Sequence, residues 1–198
     1  MLEKFVTPKG KCEYIYLQKP NIDPEKVYRD RYKINFIIDK SNKEHMELAA
    51  HITKLFKATK GEHNPLKQHL DKDKKPTGYG VVTFASNYEY PDGTKRGPIT
   101  TVDSMGNKIE RPDNFVGHGS VVRVNWSATS FSQNKGGLSL ILNGVQIIEL
   151  VEYENTVEFS EEEGGYVEEK EEELFSGYPD PREKSPLEEE TGLPENLW

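Results

Sequence analysis

Three groups of side chains stand at spacings that could hold a polyanion. Arg29, Arg31 and Lys33 lie two residues apart. On a strand they share one face and make a positive ribbon about 13 Å long, from a rise of about 3.3 Å per residue. A solvated outer face usually mixes signs, and this one carries no acid, so contact with nucleic-acid phosphates is expected. The second group is Tyr88 and Tyr90, close to Lys95 and Arg96 around a Pro91-Asp92-Gly93 turn. Bases stack on such rings at roughly 1–3 kcal/mol each while cations track the phosphates. The same loop tyrosines could instead pack the loop down. The third group is Arg123 and Phe131, with Lys135 just beyond them.

The elements that must position these groups follow from periodicity. Val122, Val124, Trp126 and Ala128 alternate with Arg123, Asn125, Ser127, Thr129 and Phe131. Period two makes this a strand with one apolar and one polar face. Trp126 therefore belongs to the core and is not a base platform. Gln133 to Gly137 is a turn whose residues tolerate positive φ, and Leu138 to Ile148 is a buried return strand. Val27 to Asp39 reads as a strand with Tyr32, Ile34, Phe36 and Ile38 inward. Cys12 to Gln18 reads as another, with Ile15 and Leu17 inward. There Tyr14 and Tyr16 point outward as stacking candidates, although both could equally be half-buried core.

Ser41-Asn42-Lys43-Glu44 has the form of a capping box with Ser41 as the cap. Leu48, Ala49, Ile52, Leu55 and Phe56 then follow one-sided helical spacing, which predicts a helix plugging one end of the barrel. Lys60 to Lys75 reads as a lysine-rich loop, Tyr79 to Ala85 as a strand, and Pro98 to Val102 as a short strand.

The net charge of −8 conceals a split. Residues 1–155 carry 23 Lys+Arg against 19 Asp+Glu, and residues 156–198 carry 3 against 15. A mildly basic body beside a strongly acidic end points toward nucleic-acid work. Residues 156–198 combine glutamate runs, prolines and little apolar surface, which predicts a disordered tail. It closes on Glu195, Leu197 and Trp198. An aromatic at such a tip suggests a docking plug for a partner, and the plainer reading is a solubilising tail.

The one cysteine, Cys12, allows no disulfide within the chain. No signal peptide and no membrane-length apolar run is read, so a soluble, cytoplasmic protein is expected. Five scattered histidines form no metal-binding spacing. Neither a phosphate-cradling P-loop nor a zinc-protease motif is present, and Asp103 and Asp113 do not make a metal site. No cofactor, no metal and no enzymatic activity are expected.

At this point the chain resembles the single-stranded DNA-binding proteins of tailed phages. The residues that carry the resemblance are Tyr32 to Asp39 ahead of a helix, Gly97-Pro98-Ile99 with Val102-Asp103 and Gly106-Asn107, and Gly119 to Val124. To these are added Asn134-Lys135-Gly136-Gly137-Leu138-Ser139-Leu140 and Leu142 to Gln146. The resemblance covers roughly residues 10–150 and, by character only, the tail. It implies a mainly β, OB-fold-like Greek-key barrel of five to six strands, one capping helix and a disordered acidic tail. A standard OB-fold places its helix between strands three and four, whereas here only two clear strands precede it. The resemblance also implies cooperative or dimeric coating of single-stranded DNA in replication, recombination and repair. Its tail would recruit the phage DNA polymerase and helicase-primase. A reading from another class is a non-catalytic protein-interaction module, an adaptor or DNA mimic with a solubilising tail.

Overall fold

The computed structural model describes residues 2–22, 24 and 30–153. In chain order it has β1 (Lys4–Val6), β2 (Gly10–Asn21), β3 (Arg31–Ile38), α1 (Lys43–Thr59), β4 (Leu66–Leu70) and β5 (Pro76–Asn87). Then come β6 (Thr100–Val102), β7 (Val121–Phe131) and β8 (Gly137–Glu149). Five strands close a circuit in the order β7-β2-β3-β5-β8, because β8 returns to pair with β7. Every pairing in the circuit is antiparallel except β5 with β8, where Ala85 faces Ile141. That parallel seam is short. The Ser86 hydroxyl reinforces it by donating to the Leu142 carbonyl at 2.7 Å.

The barrel is thus the mainly β, OB-fold-like one the sequence implies, with five strands in the circuit. β1, β4 and β6 pair along its outside. Two of these depart from the sequence reading. β1 has no counterpart in it, and β4 occupies the middle of the segment read as a loop. β4 is held because Leu66 and Gln68 pair with Val82 and Gly80 of β5. Strand β3 begins at Arg31, later than the Val27 read from sequence, and residues 25–29 lie outside the described residues.

The alternation of β3 survives intact, and that of β7 holds as far as Trp126, where a register shift leaves Ser127 buried, although the sequence reading placed it outward. Tyr32, Ile34, Phe36 and Ile38 are buried, as are Val122, Val124 and Trp126. Trp126 is fully buried, with its ring against Phe5 and Phe84 at centroid distances of 4.8 and 5.6 Å. β2 behaves differently. Simple alternation puts Cys12 on the face of Tyr14 and Tyr16, yet Cys12 is buried with Ile15 and Leu17. Register slips between Glu13 and Tyr16, where Tyr14 adopts φ 48°. A β-bulge inserts one extra residue and reverses the parity of everything before it. Burial, with the Glu13 carboxylate beside it, pushes the Cys12 thiol up to about 12, so this cysteine is chemically quiet.

Helix α1 begins one residue later than the capping box implies. Asn42 is the cap, its side-chain oxygen accepting from the Glu44 and His45 amides at 2.9 and 3.3 Å. Ser41 instead donates both its amide and its hydroxyl to Asp39. Leu48, Ala49 and Ile52 are buried beneath the helix, which packs on β8, β3, β4 and β7. His45 ties its first turn down, with Nε2 donating to the Lys9 carbonyl (2.8 Å) and Nδ1 accepting from the Asp39 amide (3.0 Å). In chain order the helix falls between β3 and β5, the second and third of the five circuit strands, so the departure noted from sequence is real. No helix among the described residues is long and apolar enough to cross a membrane.

Candidate nucleic-acid interface

Outward-facing residues of β3 and β5 form one row across the sheet. Arg31 pairs with Asn87, Lys33 with Ala85 and Asn35 with Thr83. On the other side of β3, Tyr16 pairs with Lys33, whose ammonium lies 5.3 Å from the Tyr16 ring centroid. Burial, and then the Arg31 charge beside it, lowers the Lys33 pKa. Two cations on one strand face repel each other, and an anion laid across them relieves that repulsion.

Arg31, Thr83, Ala85 and Asn87 of this row floor an open groove of about 840 Å³. One wall is the segment between α1 and β4 with the start of β4, including His63 and Lys67. The other is the end of the β7–β8 hairpin, with Phe131, Asn134 and Ser139. Phe131 is 38% exposed and stacks on the His63 ring, centroids 5.8 Å apart and planes 29° apart. The one acid on the groove wall, Glu62, pairs with Lys135 at 2.9 Å.

The Tyr88–Arg96 loop adjoins this groove at Asn87. Arg96 donates from Nε to the Asn87 carbonyl at 3.2 Å, and the Tyr88 amide donates to the Asp30 carbonyl at 2.9 Å. Both rings carry a cation, Lys95 over Tyr88 at 5.7 Å and Arg96 over Tyr90 at 4.6 Å. The two tyrosines do different things. Tyr88 is half-buried and meets the edge of Tyr32 at 6.0 Å, anchoring the loop to the core. Tyr90 is 43% exposed.

The sequence-predicted residues therefore separate into groups. Arg31 and Phe131 line the groove, the Tyr88–Arg96 loop adjoins it at Asn87, and Lys33 with Tyr16 continues the β3 face beyond Arg31 without lining it. Lys135 is at its edge, already paired. Arg123 does not join them, a correction to its placement on one face with Arg31 and Lys33. It lines a second concavity of about 490 Å³ with Lys4, Asn125, Asn143 and Gln146. Along β7 it is about 26 Å from Phe131. Tyr14 also stands apart, carried away by its bulge to meet His118 edge-on at 5.2 Å. Arg29, and Glu195, Leu197 and Trp198 of the tail, lie outside the described residues.

Sequence reasoning did not single out Lys67 and His63 as site residues, placing both in the lysine-rich Lys60–Lys75 loop. Lys67 lies in the LKQHL segment, too short to announce itself as a strand, and His63 stands before it with no periodic signal of its own. Asp103 accepts from Met105 and Asn107 inside a turn, and these bonds, the Asn107 side chain foremost, hold its carboxyl below the usual range. Asp113 is paired with Lys19. No group of three or more metal-ligating side chains occurs among the described residues.

No protein-family model matches the chain, and no curated protein matches it by sequence. Solved structures do share its fold. One is gp2.5, a single-stranded DNA binding protein encoded by bacteriophage T7. It superposes with a TM-score of 0.61 at 22% identity, over 85% of this chain and 100% of its own. Another is the single-stranded DNA-binding protein from bacteriophage Enc34, solved in complex with ssDNA. It gives 0.55 at 17% identity, over 74% of this chain and 86% of its own. A C-terminally truncated form of the Enc34 protein gives 0.55 at 16% identity, over 74% and 85%.

Proposed function

We propose that this chain is a single-stranded DNA-binding protein of the tailed-phage kind and has no catalytic activity. The observation that carries this reading is the groove, which sets Arg31 and Lys67 beside the Phe131 ring on an OB-fold-like barrel. Strand faces and loops of such barrels are where oligonucleotides bind. The same fold in the Enc34 protein, solved with ssDNA, supports the reading.

The mechanism follows from the chemistry of the two kinds of side chain. Cations along β3 and β4 neutralise phosphates and release their counterions, so affinity falls as salt rises. Phe131, Tyr16 and Tyr90 offer faces to unstacked bases. Stacking accepts any base, so sequence preference is weak. Duplex DNA presents its charge but keeps its bases stacked inside, so it gains only the first contribution.

The finer parts of the proposal concern the rest of the chain. Residues 1–155 form the DNA-binding domain. Residues 156–198 act as an acidic tail that competes with DNA at low salt. Through Glu195, Leu197 and Trp198 the tail recruits the phage polymerase and helicase-primase during replication, recombination and repair in the host cytoplasm. Dimerisation would let bound copies coat a strand side by side.

The test is a titration of end-labelled poly-dT and of duplex DNA of equal length by fluorescence anisotropy, across a salt series, with full-length and tail-less protein. Labelled DNA is the right probe, because Trp126 is buried and its emission cannot report stacking directly. Tight poly-dT binding that weakens steeply with salt, weaker duplex binding, and a gain in affinity on removing residues 156–198 are expected. No poly-dT binding at 50 mM salt would instead favour the protein-interaction module.

A further inference from the structure

The geometry points to the segment between α1 and β4 as a fixed jaw of the groove, with His63 as the positioning residue that holds Phe131 ready for a nucleobase. This rests on the DNA-binding reading above.

The hairpin tip at residues 132–136 would otherwise be a surface turn free to swing. Here it is bolted to the segment after α1 through the backbone. The Glu62 amide donates to the Lys135 and Gly136 carbonyls at 3.3 and 3.2 Å, and the His63 amide to the Gly136 carbonyl at 3.1 Å. The Leu138 amide returns a bond to the His63 carbonyl, also at 3.1 Å. Main chains meet this closely because the positions in contact are glycines. A Cβ on Gly61 would fall on the Gly136–Gly137 peptide, and one on Gly137 would come within 2.5 Å of the His63 carbonyl oxygen.

Side chains complete the joint. The Asn134 carbonyl can only accept, so the His63 Nε2 carries a proton and donates it at 2.8 Å. That bond sets the plane of the imidazole, and Phe131 stacks on it. A ring already held in place loses little freedom when a base lands on it, so more of the stacking energy appears as affinity. His63 thus acts through Phe131, and a nucleobase of the bound strand is the ligand this pair recognises.

The test compares full-length wild-type protein with His63→Ala, His63→Phe and Gly61→Ala, using oligo-dT that carries one 2-aminopurine. Affinity, 2-aminopurine quenching and the slope of log affinity against log salt are measured together. His63→Ala is expected to weaken binding about tenfold and to reduce the quenching, with the salt slope unchanged because no phosphate contact is lost. His63→Phe keeps a ring against Phe131 and should restore most of the quenching. Gly61→Ala, which forces the joint open, should resemble His63→Ala. Binding by His63→Ala within twofold of wild type, with full quenching, would overturn the inference. So would a loss accompanied by a shallower salt slope, since His63 would then be a phosphate contact. If the unaltered protein bound no single strand, the DNA-binding reading itself would fall and take this one with it.

Discussion

The groove and the concavity around Arg123 both carry cations, and of these two surfaces the groove alone places rings beside them. In the groove, Arg31 and Lys67 share walls with Phe131 and His63. In the second concavity, Lys4 and Arg123 stand among amides. None of these four cations takes part in an ion pair among the described residues. The amides are largely committed to their own surroundings. The Asn143 side chain donates to Ser127 at 2.8 Å and to Asn125 at 3.3 Å, and Gln146 donates to the Ser104 carbonyl at 3.2 Å. Either surface can attract a phosphate. Of the two, the groove also offers rings that could reward a strand for leaving its bases unstacked, so on the proposed reading charge by itself does not define a single-strand site.

That contrast can be broken by removing cations in pairs. Replacing Arg31 and Lys67 together by Ala should cost at least roughly a hundredfold in affinity for short oligo-dT, taking the low end, about 1.5 kcal/mol, for each charged hydrogen bond. The salt slope should fall by about 1.4, from two lost contacts on a single strand.

A smaller effect sharpens the account of the β3 face beside the groove. Burial and Arg31 lower the Lys33 pKa, so this ammonium loses its proton at lower pH than an ordinary lysine does. Below that pKa Lys33 is charged and, on the proposed reading, holds a phosphate; as pH rises through it that charge is lost. Affinity measured on the alkaline side should therefore drop by about threefold, from the loss of one phosphate contact in a screened setting. Lys33→Arg, always charged, should abolish that limb. An identical alkaline profile for Lys33→Arg and wild type would remove Lys33 from the track.

The smallest change is expected from replacing Lys4 and Arg123 together by Ala. An oligonucleotide just long enough to fill the groove should bind within about twofold of wild type, in keeping with weak screened charges. A loss equal to that of the Arg31 and Lys67 pair would erase the distinction between the two surfaces and restore Arg123 to the binding track.

Much of this architecture is legible in local pattern. Tyr32, Ile34, Phe36 and Ile38 announce their burial by strict alternation, and β7 places Trp126 in the core by the same rule. Leu48, Ala49 and Ile52 identify the buried face of α1 through helical spacing. The failures occur where one residue breaks a period or a neighbour competes. Tyr14 bulges and reverses the parity of Cys12. Asp39 engages Ser41, so Asn42 becomes the cap. β4 has too few residues for its own pattern to speak, and it is a strand because β5 offers it an edge.

Which side chains of β3 and α1 face inward, where the helix lies and how charge divides along the chain were determined by the sequence itself, because each depends on residues a few positions apart. Which cations share a surface was decided only by closure of the barrel. Arg31 and Arg123 look alike on their strands, yet the circuit turns them into different concavities. His63 and Asn134, 71 positions apart, meet because glycine backbones there allow two distant segments to touch. Periodicity sets the face of a strand and carries no information about which distant face will stand opposite it, since that depends on register, bulges and the order in which strands pair.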